Sequence, residues 1–160
     1  MTTAPSLEQR IRQLLDGRDD VRIATAESCT GGTIAARLTS QAGSSAYFVG
    51  GVVSYANDVK HAVLGVPADV LENPGAVSEP TARAMAEGVS DLMQATHAVS
   101  TTGIAGPDGG TARKPVGTVY IGIATPEGTR VEHHVFPGDR AAVIAAAADR
   151  ALELLLGAIS

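Results

Sequence analysis

The sequence predicts an α/β fold: a single three-layer α/β/α domain over residues 1–160, with a mixed, mostly parallel sheet of about five strands. Segments typical of strands and of helices alternate along the chain, in the order αβα-βα-αβ-ββα. Hydrophobic residues make up 44% of the chain and aromatic residues only 3%. The core must therefore consist of Ala, Val, Ile and Leu, as in parallel sheets covered by helices. A length of 160 residues suits one domain, and the sequence shows no repeat or linker.

The first half of the chain predicts two strands and three helices. Ser6 is a predicted cap for a first helix that ends at Gly17. Its apolar stripe is Leu7, Ile11, Leu14 and Leu15. Apolar and β-branched runs predict strands at about 21–26 and 46–55, with a helix between them. Asn57 and Asp58 are predicted to cap a short helix over 59–64, and a long loop over 65–78 follows.

The second half predicts a long helix, three strands and a final helix. Ser78 opens the long helix, whose stripe includes Ala82, Met85, Ala86, Val89, Leu92 and Met93. A strand follows at about 98–102. Strands at 116–125 and 129–136 flank Pro126-Glu127-Gly128, a tight-turn sequence, so they are expected to pair antiparallel. Asp139 is the predicted cap of an Ala-rich final helix.

Two glycine-rich turns follow predicted strands. The first, AESCTGGT at 26–33, combines hydroxyls, a thiol and exposed backbone N–H groups before a helix. The second, at 103–110, holds four glycines in eight residues. Ligands of open α/β sheets bind at the carboxyl ends of strands, so the two turns are expected to converge on one crevice. The first turn suits a nucleophile, an oxyanion hole or a phosphate cradle, or is an ordinary helix cap.

Lys60 is a candidate general base. It falls in the first turn of a helix, beside the positive end of the helix dipole, and only Lys60 and Lys114 are lysines among the 12 basic residues. The dipole and desolvation would lower its pKa, and a neutral amine can take a proton from a serine. The alternative is a solvated surface lysine.

Ser28 is the preferred nucleophile, and Cys29, expected at the first position of a helix, is its rival. No histidine is placed to assist the thiol, and His61, His97, His133 and His134 are assigned no role. Arg140, just inside the last helix, either reaches a phosphate or pairs with Asp139.

Composition excludes several classes of function. The net charge is −5 and no basic run occurs, which argues against a nucleic-acid surface. The single cysteine excludes an internal disulfide, and Cys–His zinc spacings are absent. No apolar run approaches the length of a membrane span, and the N-terminus lacks the features of a signal peptide. A cytoplasmic protein without a nucleic-acid or membrane partner is expected.

Four motifs, in order, closely resemble the CinA C-terminal domain family. They are TAESCTGG at 25–32, GGVVSY at 50–55 followed by Asn57 and Lys60, TTGIAGPDGG at 101–110 and PVGTVYIG at 115–122. The resemblance covers essentially the whole chain and is to the stand-alone form of the family. Other members carry an additional domain related to molybdopterin-binding proteins, for which this chain has no room.

The resemblance implies an amidohydrolase acting on nicotinamide mononucleotide (NMN), which yields nicotinate mononucleotide and ammonia in pyridine-nucleotide salvage. It implies a homo-oligomer without metal or cofactor. Ser28 would be the nucleophile, Lys60 its general base and Tyr55 a residue that positions or relays the proton. N–H groups near 30–33 would form the oxyanion hole, and Arg140 would sit near the phosphate. Substrate contacts are expected from Glu27, Thr30, Gly31, Gly32, Thr33, Asn57, Thr102, Gly103, Gly106 and Arg140.

Two other readings stay open. One is a nucleotide-binding or regulatory module with a degenerate site, against which the presence of Ser28, Tyr55 and Lys60 together argues. The other is an amidase of a related nicotinamide-containing nucleotide.

Overall fold

The computed structural model describes residues 3–160, which form six α-helices and a five-stranded sheet. The strands are β1 (Ile23–Glu27), β2 (Phe48–Val53), β3 (His97–Gly103), β4 (Thr118–Thr125) and β5 (Gly128–Val135). The helices are α1 (Leu7–Leu14), α2 (Thr33–Thr39), α3 (Asn57–Leu64), α4 (Ala68–Val70), α5 (Glu79–Met93) and α6 (Arg140–Ile159). The predicted α/β architecture is confirmed.

Side-chain caps start three of the four helices for which the sequence predicts them. The Ser6 hydroxyl accepts a hydrogen bond from the Gln9 N–H at 3.2 Å, and Ser78 accepts one from Thr81. The Asp139 carboxylate accepts one from the Ala142 N–H at 2.9 Å. These bonds satisfy N–H groups that have no partner within the helix.

The strand order is β2-β1-β3-β4-β5. β1 pairs parallel with β2 and β3, whereas β4 pairs antiparallel with β3 and with β5. Four strands therefore run in one direction and β4 alone runs against them. The carboxyl ends of β1, β2, β3 and β5 consequently share one edge of the sheet.

Each face of the sheet is covered by helices. One core cluster joins α1, α2 and α6 to the sheet around Ile23, Val99 and Ile121, and the other joins α3 and α5 around Ala24, Ala26 and Ala98. Small side chains let α5 approach closely: a Cβ built on Gly122 of β4 would lie 2.7 Å from the Ala82 carbonyl oxygen. The aliphatic core expected from the composition is present.

Several local predictions are wrong. α3 begins at Asn57 and its N-cap is Ala56, so neither Asn57 nor Asp58 caps it. α2 begins at Thr33, so Cys29 lies in the preceding turn rather than in the first turn of the helix. The 65–78 segment contains α4 and a π-helical turn over Leu71–Gly75. Leu14 and Leu92, assigned to buried stripes, are 36% and 54% exposed.

No helix among the described residues is both long enough and apolar enough to cross a membrane.

Candidate active site

The turn after β1 is built on the Glu27 side chain. Both Glu27 oxygens are used: Oε1 accepts from the Thr30 hydroxyl and from the Ile34 N–H at 2.9 Å, and Oε2 accepts from the Ala35 N–H at 3.0 Å. A carboxylate at the N-terminus of α2 is favoured by the helix dipole and satisfies N–H groups left unpaired there. Glu27 therefore fixes the path of the chain from β1 to α2 while buried beneath the turn.

Glycines complete this turn. Gly31 and Gly32 adopt left-handed backbone conformations, with φ of 59° and 105°, and Gly32 is the N-cap of α2. Such angles disfavour residues with a Cβ. The Ser28 carbonyl accepts a hydrogen bond from the Gly31 N–H at 3.0 Å, and the Ser28 N–H donates to the Thr101 carbonyl on β3, also at 3.0 Å. Ser28 is thereby held at the end of β1.

The Lys60 ammonium lies against the Ser28 hydroxyl. Its Nζ is 3.0 Å from Ser28 Oγ and 2.9 Å from the carbonyl oxygen of Tyr55. Both partners are neutral, and the Lys60 residue is only 2% exposed. Because burial penalises the charged form, the pKa of Lys60 is lowered. A buried amine with a depressed pKa in contact with a hydroxyl is the arrangement of a general base and its nucleophile.

Cys29 is a poor nucleophile in this position. Burial raises the pKa of its thiol to about 11, so the thiolate is scarce at neutral pH. The geometry thus favours Ser28 over Cys29, and the assignment of the nucleophile stays a prediction.

Arg140 and Tyr55 face each other at the same edge. Arg140 Nη1 donates to the Gly106 carbonyl at 2.8 Å, and Nη2 donates to the Tyr55 hydroxyl at 3.0 Å. Arg140 therefore joins the N-terminus of α6 to the β2–α3 connection and the β3–β4 loop. Neither of these hydrogen bonds goes to Asp139, the partner expected if Arg140 were an ordinary surface arginine.

These groups line one cleft with a volume of about 290 Å³. Eight residues predicted for the site line it, namely Ser28, Tyr55, Asn57, Lys60, Thr102, Gly103, Gly106 and Arg140. The other predicted residues are not among its lining residues: Glu27, Thr30, Gly31, Gly32 and Thr33 form the turn beside Ser28. The two glycine-rich turns thus meet in one crevice, as expected.

The CinA C-terminal domain model matches residues 4–159 of the chain. The chain belongs to the CinA C-terminal domain family. A CinA-like protein of Mycolicibacterium gilvum is 50% identical over 155 residues, which are 96% of this chain and 36% of that protein. A putative competence-damage inducible protein of Desulforudis audaxviator is 53% identical over 126 residues, 79% of this chain and 30% of that one. The chain spans about a third of the length of these curated relatives.

Solved CinA structures share the fold. A CinA superfamily protein from Klebsiella pneumoniae superposes with a TM-score of 0.90 at 37% identity, covering 96% of this chain and 95% of that one. A competence/damage inducible protein from Agrobacterium tumefaciens gives a TM-score of 0.88 at 40% identity, with both chains fully covered.

One wall of the cleft in this CinA domain is formed by residues for which the sequence predicts no role. Ala76 and Val77, from the end of the 65–78 segment, line it together with Asp108 and Gly109 of the β3–β4 loop. Thr102 Oγ1 donates to the Ala76 carbonyl at 2.7 Å, so the β3 strand holds this wall in place. The sequence offered one signal for a role of this segment, namely its length of fourteen residues between two helices. Long ordered loops often carry function.

Within residues 3–160, no group of three or more His, Cys, Asp or Glu side chains is arranged to hold a metal ion.

Proposed function

We propose that this CinA-family chain hydrolyses the carboxamide of NMN, giving nicotinate mononucleotide and ammonia, by a serine–lysine mechanism. The observation that carries the proposal is the 3.0 Å contact between Lys60 Nζ and Ser28 Oγ in a buried position at the base of the cleft. Burying an amine without a carboxylate partner costs stability. A module that only binds a nucleotide has no need of a lysine desolvated against a serine, so nothing in its function would offset that cost.

The first half of the reaction forms an acyl-enzyme. Neutral Lys60 takes the proton of the Ser28 hydroxyl as Oγ attacks the carboxamide carbon. The tetrahedral intermediate then collapses, its C–N bond breaks, and protonated Lys60 returns the proton to the departing nitrogen, which leaves as ammonia. The Tyr55 carbonyl accepts from Nζ and keeps the amine pointed at the serine throughout.

The second half releases the acid. A water molecule gives a proton to Lys60 and attacks the ester carbonyl, and Ser28 regains its proton when the C–Oγ bond breaks. The same base thus serves both halves of the reaction.

The donors for the oxyanion lie next to the serine. In the turn, the Gly31 and Thr33 N–H groups donate to the Ser28 and Thr30 carbonyls, and those of Ile34 and Ala35 donate to Glu27. The N–H groups of Cys29, Thr30 and Gly32 have no acceptor within residues 3–160. We therefore assign the oxyanion hole to this set of N–H groups, of which those of Thr30 and Gly32 lie within the expected 30–33 range and that of Cys29 lies just before it. One such donor contributes about 3–4 kcal/mol to transition-state stabilisation.

Arg140 supports the choice of a nucleotide substrate. Its guanidinium lines the cleft that holds Ser28 and Lys60, and it belongs to the first turn of a 20-residue helix. Helix N-termini and guanidinium groups favour phosphate. A phosphate bound there is remote from the scissile amide, so its binding energy can position the carboxamide at Ser28.

The decisive experiment measures ammonia release from NMN by the wild type, Ser28→Ala and Lys60→Ala, with free nicotinamide as a second substrate. We expect turnover of NMN by the wild type alone and little turnover of nicotinamide, which has no phosphate. Retained turnover in Ser28→Ala would refute the nucleophile, and retained turnover in Lys60→Ala would refute the base.

Binding of NMN without hydrolysis by the wild type would instead favour the nucleotide-binding module. Hydrolysis of another nicotinamide-containing nucleotide but not of NMN would favour the related amidase.

A further inference from the structure

The backbone carbonyl groups of three successive residues at the cleft wall, Pro74, Gly75 and Ala76, each accept a hydrogen bond from at least one side chain. The Pro74 carbonyl accepts from Lys114 Nζ at 2.8 Å, and the Ala76 carbonyl accepts from Thr102 at 2.7 Å. Between them, the Gly75 carbonyl accepts from the hydroxyls of Ser78 at 2.7 Å and of Thr81 at 2.9 Å. These donors come from the β3–β4 loop, from β3, and from the start of α5.

The Lys114 bond differs from the other two because it links two connecting segments. Thr102 belongs to a central strand, and Ser78 and Thr81 begin the helix that directly follows the wall. Lys114 lies in the loop between β3 and β4, and its partner Pro74 lies in the connection between α4 and α5. Both segments line the cleft, through Ala76 and Val77 on one side and through Gly106, Asp108 and Gly109 on the other.

A small turn fixes the position of Lys114. The Thr111 N–H donates to the Lys114 carbonyl at 2.8 Å, and the Lys114 N–H donates to the Thr111 hydroxyl at 3.0 Å. This reciprocal pair sets where the side chain leaves the loop. Lys114 is not among the described residues that line the cleft, so its ammonium contacts Pro74 outside the cleft lining.

We propose that Lys114 is a positioning residue: its bond to the Pro74 carbonyl clamps the 71–77 segment, which ends in the lining residues Ala76 and Val77, to the β3–β4 loop and so sets the width of the cleft. The kinetic consequence rests on the proposed amidohydrolase function, whereas the clamp itself does not. Removal of the donor should loosen the wall without touching Ser28 or Lys60. The substrate and the transition state would lose the same contacts with the cleft wall. KM should therefore rise, while kcat should stay unchanged.

The test compares Lys114→Met, which keeps the aliphatic stem and removes the donor, with Lys114→Arg, which keeps a donor. Arg113→Met is the matched control, because Arg113 is the exposed neighbour and its side chain makes no hydrogen bond within residues 3–160. For each variant, KM and kcat for NMN are measured beside backbone amide hydrogen exchange over residues 71–77. Lys114→Leu, which also has no donor, is the second variant, should Lys114→Met melt before assay.

We expect Lys114→Met to raise KM by roughly tenfold, with kcat within about twofold of wild type, as for the loss of one charged hydrogen bond. Exchange over 71–77 should accelerate, and Lys114→Arg and Arg113→Met should match the wild type. Unchanged exchange in Lys114→Met overturns the clamp, as does a loss confined to kcat. A wild type inactive on NMN would refute the proposed function alone, and the exchange comparison would then decide the clamp by itself.

Discussion

The guanidinium of Arg140 reaches across the cleft to the hydroxyl of Tyr55, 3.0 Å from Nη2 to the phenolic oxygen. The same Tyr55 contributes its main-chain carbonyl to Lys60 Nζ. Tyr55 thus contacts Lys60, the candidate base, through its backbone carbonyl. It contacts Arg140, the candidate residue for binding the phosphate, through its side chain. The sequence-based expectation that Tyr55 positions or relays the proton remains a prediction, and this geometry favours positioning through the carbonyl.

Replacement of Tyr55 by Phe separates the two contacts. The carbonyl contact to Lys60 stays, while Arg140 loses a hydrogen-bond partner, so we expect KM for NMN to rise by a few-fold with little change in kcat. Steady-state kinetics on NMN measure both. A fall in kcat of a hundredfold or more, the order expected for loss of an acid–base group, would instead assign the phenol to proton transfer.

Replacement of Lys60 by Met should remove activity and stabilise the fold. Loss of the base is expected to lower kcat by about 10²–10⁴-fold. Burial lowers the pKa of Lys60 in the folded state, so at neutral pH the folded chain holds this proton less favourably than the unfolded chain does. An apolar side chain escapes that cost, and the melting temperature of Lys60→Met at pH 7 should exceed that of the wild type. An equal or lower melting temperature would contradict this prediction and would show that the hydrogen bonds of Lys60 to Ser28 and to the Tyr55 carbonyl outweigh its desolvation.

The lowered pKa of Lys60 also predicts how the stability and the activity of the wild type depend on pH. Between the lowered pKa of Lys60 and its ordinary value, the unfolded chain binds more protons than the folded one. The cost of burying Lys60 is therefore fully present below the lowered pKa, and it diminishes as the pH rises through this window. Activity should rise over an acidic limb governed by the same group. A pH profile of kcat/KM should place that limb below the ordinary lysine range, and a limb within that range would contradict the assignment.

Replacement of Thr102 by Val tests the hold of β3 on the cleft wall. Val has the shape of Thr but no hydroxyl, so the Ala76 carbonyl loses its donor. We expect the free energy of unfolding to fall by about 1–3 kcal/mol, the cost of an unpaired polar group. Urea denaturation measures the loss, and Thr102→Ser, which retains the hydroxyl, should recover most of it.

Replacement of Glu27 by Gln tests the support beneath the nucleophile. Glu27 accepts three hydrogen bonds, and the amide nitrogen of Gln would present a donor to groups that are themselves donors. A loss of about 1–3 kcal/mol in unfolding free energy is expected. Glu87→Gln, on the exposed face of α5, is the control and should leave stability unchanged. Equal stability of the two variants would remove Glu27 from its capping role.

The architecture was predictable because its signals are local. Apolar runs marked the strands, Ser6, Ser78 and Asp139 marked helix starts, and the short turn at 126–128 marked the antiparallel hairpin. The convergence of the two glycine-rich turns followed from the general rule for the carboxyl ends of strands.

The rest depends on tertiary contacts that the sequence does not encode locally. The roles of the Tyr55 carbonyl and of Ala76 depend on partners on other elements, Lys60 and Thr102. Leu92 belongs to the apolar stripe by spacing, yet it lies beyond the surface that the sheet covers and is exposed. The family resemblance implies that Glu27 contacts the substrate, which stays a prediction. Its side chain accepts hydrogen bonds from the N-terminus of α2, a role that depends on the position of the helix.

The chemistry of Cys29 bears on how the serine can be studied. The chain has one cysteine, next to Ser28, and its thiol stays protonated at neutral pH because its pKa is about 11. Electrophilic probes react with thiolates far faster than with thiols. A fluorophosphonate or carbamate should therefore modify Ser28, the proposed nucleophile, while the adjacent Cys29 thiol does not react. Covalent labelling would then report the fraction of competent active sites directly, without a cysteine-free variant.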